Sequence, residues 1–185
     1  MDLVIIDCQN DFVDGILAAE NGCEAVENIV DFLNVKKEDL RVFYTMDFHP
    51  VNHCSFKEQD GIWPPHCVAG TMGAELHDKF YETPFSPSLE NKYYKGRNKD
   101  KEEYSAFEAE NGLGHLLRED LGETIYLAGI ASEYCVRETA LDFKKAGKDV
   151  VVLEDLLGYI NKKDHEENLE SLEKEGVGVQ SSSRC

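Results

Sequence analysis

Cys135 lies between an apolar strand-like run, residues 124–128, and a helix-like run, residues 136–146. Free backbone N–H groups and the positive end of the helix dipole at such a junction favour a thiolate over a thiol. The thiolate is the nucleophilic form of cysteine. Two other reactive side chains, Asp7 and Lys95, also end apolar strand-like runs. In a parallel sheet those ends share one edge, so the three side chains can converge. Lys95 would stabilise the sulfur anion, and Asp7 would take its proton. N–H groups around Ala131 and Cys135 would face a substrate carbonyl and form an oxyanion hole. Taken singly, an aspartate ending a strand is a cap, a lysine there is solvated, and an apolar-flanked cysteine is packing. Their shared position at strand ends is what points to chemistry.

A second set is Asp47-x-His49-x₃-His53, followed by His66. One carboxylate with two or three imidazoles suits one borderline divalent metal ion, Zn²⁺, Fe²⁺ or Mn²⁺. The one-residue gap turns Asp47 and His49 to the same side of an extended segment. Histidines in polar loops also cap and hydrogen-bond locally. Three of the chain's six histidines fall in this loop, which favours a metal. His77, His115 and His165 lie on helix-like segments and read as surface or packing residues.

Hydrophobic patterning identifies the elements that must hold these residues. Residues 3–6 are apolar without a break, as in a central parallel strand buried on both faces, and end at Asp7. The C-terminal edge of such a sheet is where ligands bind. Further strands are predicted at 42–46, 91–94, 125–128, 150–153 and 177–179. Helices are predicted at 24–34, 113–121, 136–146 and 165–175, with a short one at 73–80 and a helical turn at 105–110. From Asp47 to about Phe85 the periodicity fails, and four of the five prolines lie there. A long irregular segment in a compact domain is usually functional. The expected fold class is α/β: a three-layer α/β/α arrangement around a central, mostly parallel six-stranded sheet. Residues 1–185 read as a single domain, with a metal-binding loop region at about 47–85.

The chain carries 37 acidic and 19 basic residues, a net charge of −18. A nucleic-acid or anionic-membrane partner would need a basic face, so neither is expected. Residues 1–6 are too short for an apolar signal core, and no apolar run approaches membrane-spanning length. Six cysteines without a CxxC pair or regular spacing read as free thiols in a reducing cytoplasm. A homo-oligomer is left open.

Six stretches also occur in a familiar order: IIDCQNDF (5–12), DFHPVNHCSF (47–56), WPPHCVAGTMG (63–73), YYKG (93–96), YSAF (104–107) and GIASEYCVRETALDF (129–143). On these the chain resembles the nicotinamidase/pyrazinamidase enzymes of the isochorismatase-like cysteine hydrolase superfamily. The resemblance implies that fold and a catalytic triad of Asp7, Lys95 and Cys135. It implies a cis peptide between Ile130 and Ala131, framing the oxyanion hole. It implies a metal held by Asp47, His49 and His66, with His53 a ligand in some members and replaced by water in others. The substrate ring would stack among Phe12, Trp63 and Tyr104, with Leu17, Ile130 and Tyr134 nearby. The implied partner is a small-molecule amide, nicotinamide, hydrolysed to nicotinate and ammonia through a cysteine thioester, in NAD salvage. Metal-free relatives, the isochorismatases and N-carbamoyl amidases, would share the triad and lack the Asp-x-His…His set. The charged loop after Lys95, residues 97–103, departs from the family pattern. Two other readings stand beside this one: another amidase of the superfamily, and a non-enzymatic metal or thiol sensor.

Overall fold

The computed structural model describes residues 1–36 and 39–185. β1 (Asp2–Ile6) is buried at all five positions. Side chains alternate across a strand. Leu3 and Ile5 therefore enter one core cluster, and Val4 and Ile6 enter the other. A strand with no solvent face needs an apolar residue at nearly every position, as this one has. After it come α1 (Asn10–Val13), α2 (Gly22–Val35) and β2 (Arg41–Asp47). Next are β3 (Lys92–Lys95), β4 (Glu110–Asn111), α3 (Leu117–Asp120) and β5 (Thr124–Gly129). The remaining elements are α4 (Arg137–Lys145), β6 (Asp149–Leu157), α5 (Lys162–Lys174) and β7 (Gly178–Gln180).

Among the described residues, seven strands form a sheet in the order β4-β3-β2-β1-β5-β6-β7. All neighbours run parallel except β3 and β4. α2 covers one face through Val26, Ile29 and Leu33. α4 and α5 cover the other through Ala140, Phe143 and Leu172. The three-layer α/β/α expectation holds, with one strand more than the predicted six. The extra strand, β4, is two residues long, too short for periodicity to reveal. It begins at the last residue of the turn expected over 105–110, which does form, the Ala109 N–H donating to the Ala106 carbonyl at 3.0 Å. The helix expected over 113–121 shrinks to α3 for a local reason. The Asn111 side chain accepts hydrogen bonds from the N–H groups of Leu113 and His115, at 2.9 and 3.0 Å, and closes a turn there. The short helix expected over 73–80 is instead two 3₁₀ turns, Met72–Ala74 and Asp78–Glu82.

Parallel pairing brings the C-terminal ends of β1, β2, β3 and β5 to one edge. The chain winds outward from β1 through β2 and β3, then restarts at β5 on β1's other side. That reversal opens a crevice at the strand ends. β1 and β5 approach closely at Gly129, whose φ is +112°. A Cβ there would lie 2.1 Å from the Ile6 carbonyl oxygen. Gly129→Ala is expected to cost about 1–3 kcal/mol from backbone strain, before any clash. Urea unfolding measures this, and an unchanged midpoint would contradict it.

Candidate active site

Four ionisable side chains meet at that edge. Asp47 and Lys95 are register partners at the ends of β2 and β3. Asp7 directly follows β1. Cys135 lies in a single π-helical turn, Ser132–Val136, between β5 and α4. All four are buried. Lys95 Nζ lies 2.8 Å from Asp7 Oδ2 and 3.5 Å from Cys135 Sγ, and donates a hydrogen bond to Asp47 Oδ1. Lys95 and Asp7 thus form an ion pair between two buried side chains. The predicted trio of Asp7, Lys95 and Cys135 is thus together. Asp47, read from sequence only as a metal ligand, joins it.

Two polar residues that sequence reasoning passed over hold this arrangement. The Thr45 hydroxyl donates to Asp7 Oδ1 at 2.6 Å. The Asp7 N–H reaches the Thr45 carbonyl at 3.2 Å. Asp7 needs such support, because its φ of 45° is uncommon for a residue with a side chain. Gln9 is fully buried. Its Nε2 donates to the carbonyls of Asp47 and Ala74, at 2.7 and 2.8 Å, and its Oε1 accepts the Asp47 N–H at 2.8 Å. The available signal was a lone polar residue in or beside an apolar run. Buried, it must find a hydrogen-bond partner.

A buried network fixes the nucleophile's turn from behind. Asn168 Nδ2 donates to the Ser132 carbonyl at 2.8 Å, and Ser132 Oγ lies 2.7 Å from His165 Nδ1. Arg137 donates to Asn168 Oδ1 at 2.9 Å. His165 is therefore a packing residue of this turn. The Ile130–Ala131 peptide is cis. The Ala131 N–H has no backbone acceptor among the described residues.

Electrostatics correct one expectation. The helix start and Lys95 do favour a thiolate at Cys135. Burial outweighs both and pushes the thiol well above its ordinary value, with Asp7 and Asp47 adding to the rise. Burial also raises the Asp7 carboxyl, against the pull of Lys95. Burial works against Asp47 as well, but Lys95 and His49 outweigh it and hold that carboxyl far below the usual range. Lys95 is raised well above its ordinary value. Burial opposes this, and Asp47, Asp7 and Cys135 overcome it.

Asp47, His49 and His66 each place one ligand atom within 4.8 Å of the others. His49 Nδ1 donates to the Gly96 carbonyl at 3.0 Å, and His66 Nδ1 donates to the Pro64 carbonyl at 2.8 Å. Each bond leaves Nε2 as the bare ring nitrogen, which is how ligating histidines are oriented. Gly96 permits this approach, since a Cβ there would lie 2.4 Å from the His49 ring. The chemistry of this donor set fits a borderline divalent ion. His53 differs. Its ring lies 4.1 Å from that of His49. Its Nε2 donates to the Lys101 carbonyl at 3.1 Å, and its Nδ1 accepts from the Ser55 hydroxyl at 2.7 Å. Both nitrogens are occupied, and the structure leaves His53 outside the three-ligand group.

Asp47, His66, Ala131 and Cys135 open into a pocket walled by Phe12, Leu17, Trp63, Tyr104 and Tyr134. Trp63 Nε1 donates to the Tyr104 hydroxyl at 2.9 Å. Tyr134 meets the Trp63 ring edge-on at 5.3 Å. The pocket's interior is small, about 40 Å³. Ile130 is not on this wall. It is buried in the core, packed close to Gly158. Ile160 and Glu102 line the pocket in addition to the expected residues. Glu102 is exposed to solvent as a residue, and partial desolvation raises its carboxyl against the pull of His49.

Fold and site together define a three-layer α/β domain with a buried Asp7, Lys95 and Cys135 group and a candidate metal set beside the sulfur. The chain belongs to the isochorismatase family, whose isochorismatase domain model matches residues 2–184. It is 38% identical over 162 residues to the nicotinamidase/pyrazinamidase of Mycobacterium tuberculosis, covering 83% of this chain and 84% of that one. The pyrazinamidase of Pyrococcus horikoshii, solved in complex with zinc, superposes with a TM-score of 0.82 at 35% identity, over 97% of this chain and 98% of that one. PnC1 of L. infantum, solved in complex with nicotinate, superposes at 0.81 with 33% identity, over 98% of this chain and 92% of that one.

Two measurements check the site. By calorimetry, His66→Ala is expected to weaken Zn²⁺ binding by more than about 100-fold and His53→Ala by about tenfold or less. Equal losses would contradict the three-ligand set. In metal-free protein, alkylation of Cys135 should still be climbing above about pH 9, where exposed Cys23 serves as the control. The raised thiol leaves little thiolate at neutral pH. A rate already flat from about pH 6 would show a resting thiolate instead.

Proposed function

We propose that this protein is a nicotinamidase, hydrolysing nicotinamide to nicotinate and ammonia through a thioester on Cys135. One juxtaposition supports this above all: Cys135 and the candidate metal ligands Asp47 and His66 line the same aromatic pocket. A metal-free relative would have no use for the second set.

The substrate ring stacks among Phe12, Trp63 and Tyr104, with its amide toward Cys135. Asp47, His49 and His66 would hold the divalent ion, which when bound supplies a Lewis-acid contact that orients a pyridine nitrogen. The thiol proton passes to the Asp7 carboxylate, which lies beside the sulfur. As it leaves, Cys135 Sγ attacks the amide carbon. The N–H groups of Ala131 and Cys135 stabilise the resulting oxyanion. When the carbonyl re-forms, Asp7 returns its proton to the departing nitrogen, releasing ammonia. Asp7 then deprotonates water, which attacks the thioester, and the acid leaves as Cys135 regains a proton. Lys95 keeps Asp7 and Asp47 ionised between steps. We place this reaction in the cytoplasm, in NAD salvage, and read the chain as one domain. Six free cysteines support a reducing compartment, and among the described residues no helix is long and apolar enough to cross a membrane.

Ammonia release from nicotinamide, with and without added Zn²⁺, Mn²⁺ and Fe²⁺, tests the reading. Cys135→Ala or Asp7→Ala should lower kcat by about 10³-fold or more with the circular dichroism unchanged. Turnover by either variant near the wild-type rate would sink the mechanism. A preference for non-aromatic amides across a substrate panel would sink the assignment of nicotinamide.

A further inference from the structure

The charged loop 97–103 has no part in this mechanism, yet one of its residues reaches the pocket. The loop's cations are engaged. Arg97 lies 3.8 Å from Glu110 and 4.8 Å over the Tyr94 ring. Lys99 pairs with Asp100 at 2.5 Å, and Lys101 with Glu103 at 2.6 Å. Glu103 also accepts the Gly96 N–H at 3.1 Å, which ties the loop to the end of β3. Among the described residues, no cation pairs with Glu102. Glu102 nevertheless lines the pocket that holds Cys135 and His66.

Charge balance shows what such a carboxylate does. Ionised Asp7, Asp47 and Lys95 leave one negative charge in the buried site. A divalent ion on Asp47, His49 and His66 would reverse this to one positive charge. A positive pocket attracts anions. If the site is an amidase, its substrate is neutral and its product is a carboxylate, so an uncorrected site would hold its own product. We propose that Glu102 is a specificity-determining residue. Its negative charge on the pocket wall weakens binding of the carboxylate product relative to the neutral amide. This rests on the amidase reading. The same repulsion disfavours ring amides that carry an acidic substituent.

Calorimetry separates this inference from the reading beneath it. Nicotinate and nicotinamide are titrated at about pH 8, with the carboxyl ionised, into the Cys135→Ala protein and its Glu102→Gln derivative, so that no turnover intervenes. Zinc-loaded and metal-free forms are both used. Glu102→Gln keeps the shape and removes the charge. It is expected to tighten nicotinate by about fivefold in both forms and nicotinamide by less than about twofold, with the difference shrinking at about 0.5 M salt. Equal tightening of both ligands, no change in either, or a difference that survives salt would overturn the role of Glu102 while leaving the amidase reading intact. Failure of both ligands to bind either protein would overturn the ring-amide reading, and this inference with it.

Discussion

The buried ammonium of Lys95 is the charge on which this site depends. An ion removed from water costs several kcal/mol even after the protein relaxes around it. Here Asp7 and Asp47 offset that cost from two sides, with the Cys135 sulfur on a third. The dependence is mutual. Without Lys95, two carboxylates would face one another in a dry pocket, and at least one would have to take up a proton. Parallel pairing of β1, β2 and β3 is what delivers the three charges to one point. Asp47 and Lys95 are direct register partners, and Asp7 is one residue past β1.

Asp47 joins the two halves of the site. One oxygen accepts from Lys95, and the other lies 3.6 Å from His49 Nε2. The segment after β1 holds both halves in place. Gln9 clamps the Asp47 backbone, and Asp11 accepts the N–H of Cys67 at 2.7 Å, next to His66. Residues 7–12 therefore serve as a brace as well as a source of chemistry. Asp7 faces the sulfur, Gln9 and Asp11 hold the loop, and Phe12 walls the pocket. The irregular stretch beyond β2 keeps a defined shape through isolated backbone bridges, His49 with Val68 and Phe56 with Trp63, together with these side-chain ties.

The burial of Cys135 changes how its reactivity is understood. A thiolate held ready by a helix end belongs to an exposed, electropositive setting. Cys135 is buried, with two carboxylates near, so the cost of a bare sulfur anion is high. Asp7, itself raised by burial, would receive the proton in the proposed mechanism. In the proposed reaction proton and sulfur would move together, and no buried charge would be left unpaired between steps.

Much of this was legible in the sequence. The unbroken apolar run 3–6 identified a central strand, and its end identified Asp7, because a strand buried on both faces leaves no other pattern. The alternation of strands and helices implied a parallel sheet, and a parallel sheet implied that Asp7, Lys95 and Cys135 share an edge. The Asp47, His49 and His66 set was readable because ligand chemistry demands those residue types. Periodicity is silent where single contacts decide the outcome. β4 is too short to have a period, and α3 is cut back by the Asn111 side chain. Ile130 looks like a pocket residue beside Ala131, yet the backbone turns it into the core. His53 has the right chemistry, but Ser55 and Lys101 take its nitrogens. Sequence alone determined which chemistry this protein carries, because residue type and strand position are local. Only the tertiary structure decided the burial of Cys135, the shared position of Asp47 and the place of Glu102 on the pocket wall, because burial and distance are set by residues far apart in the chain.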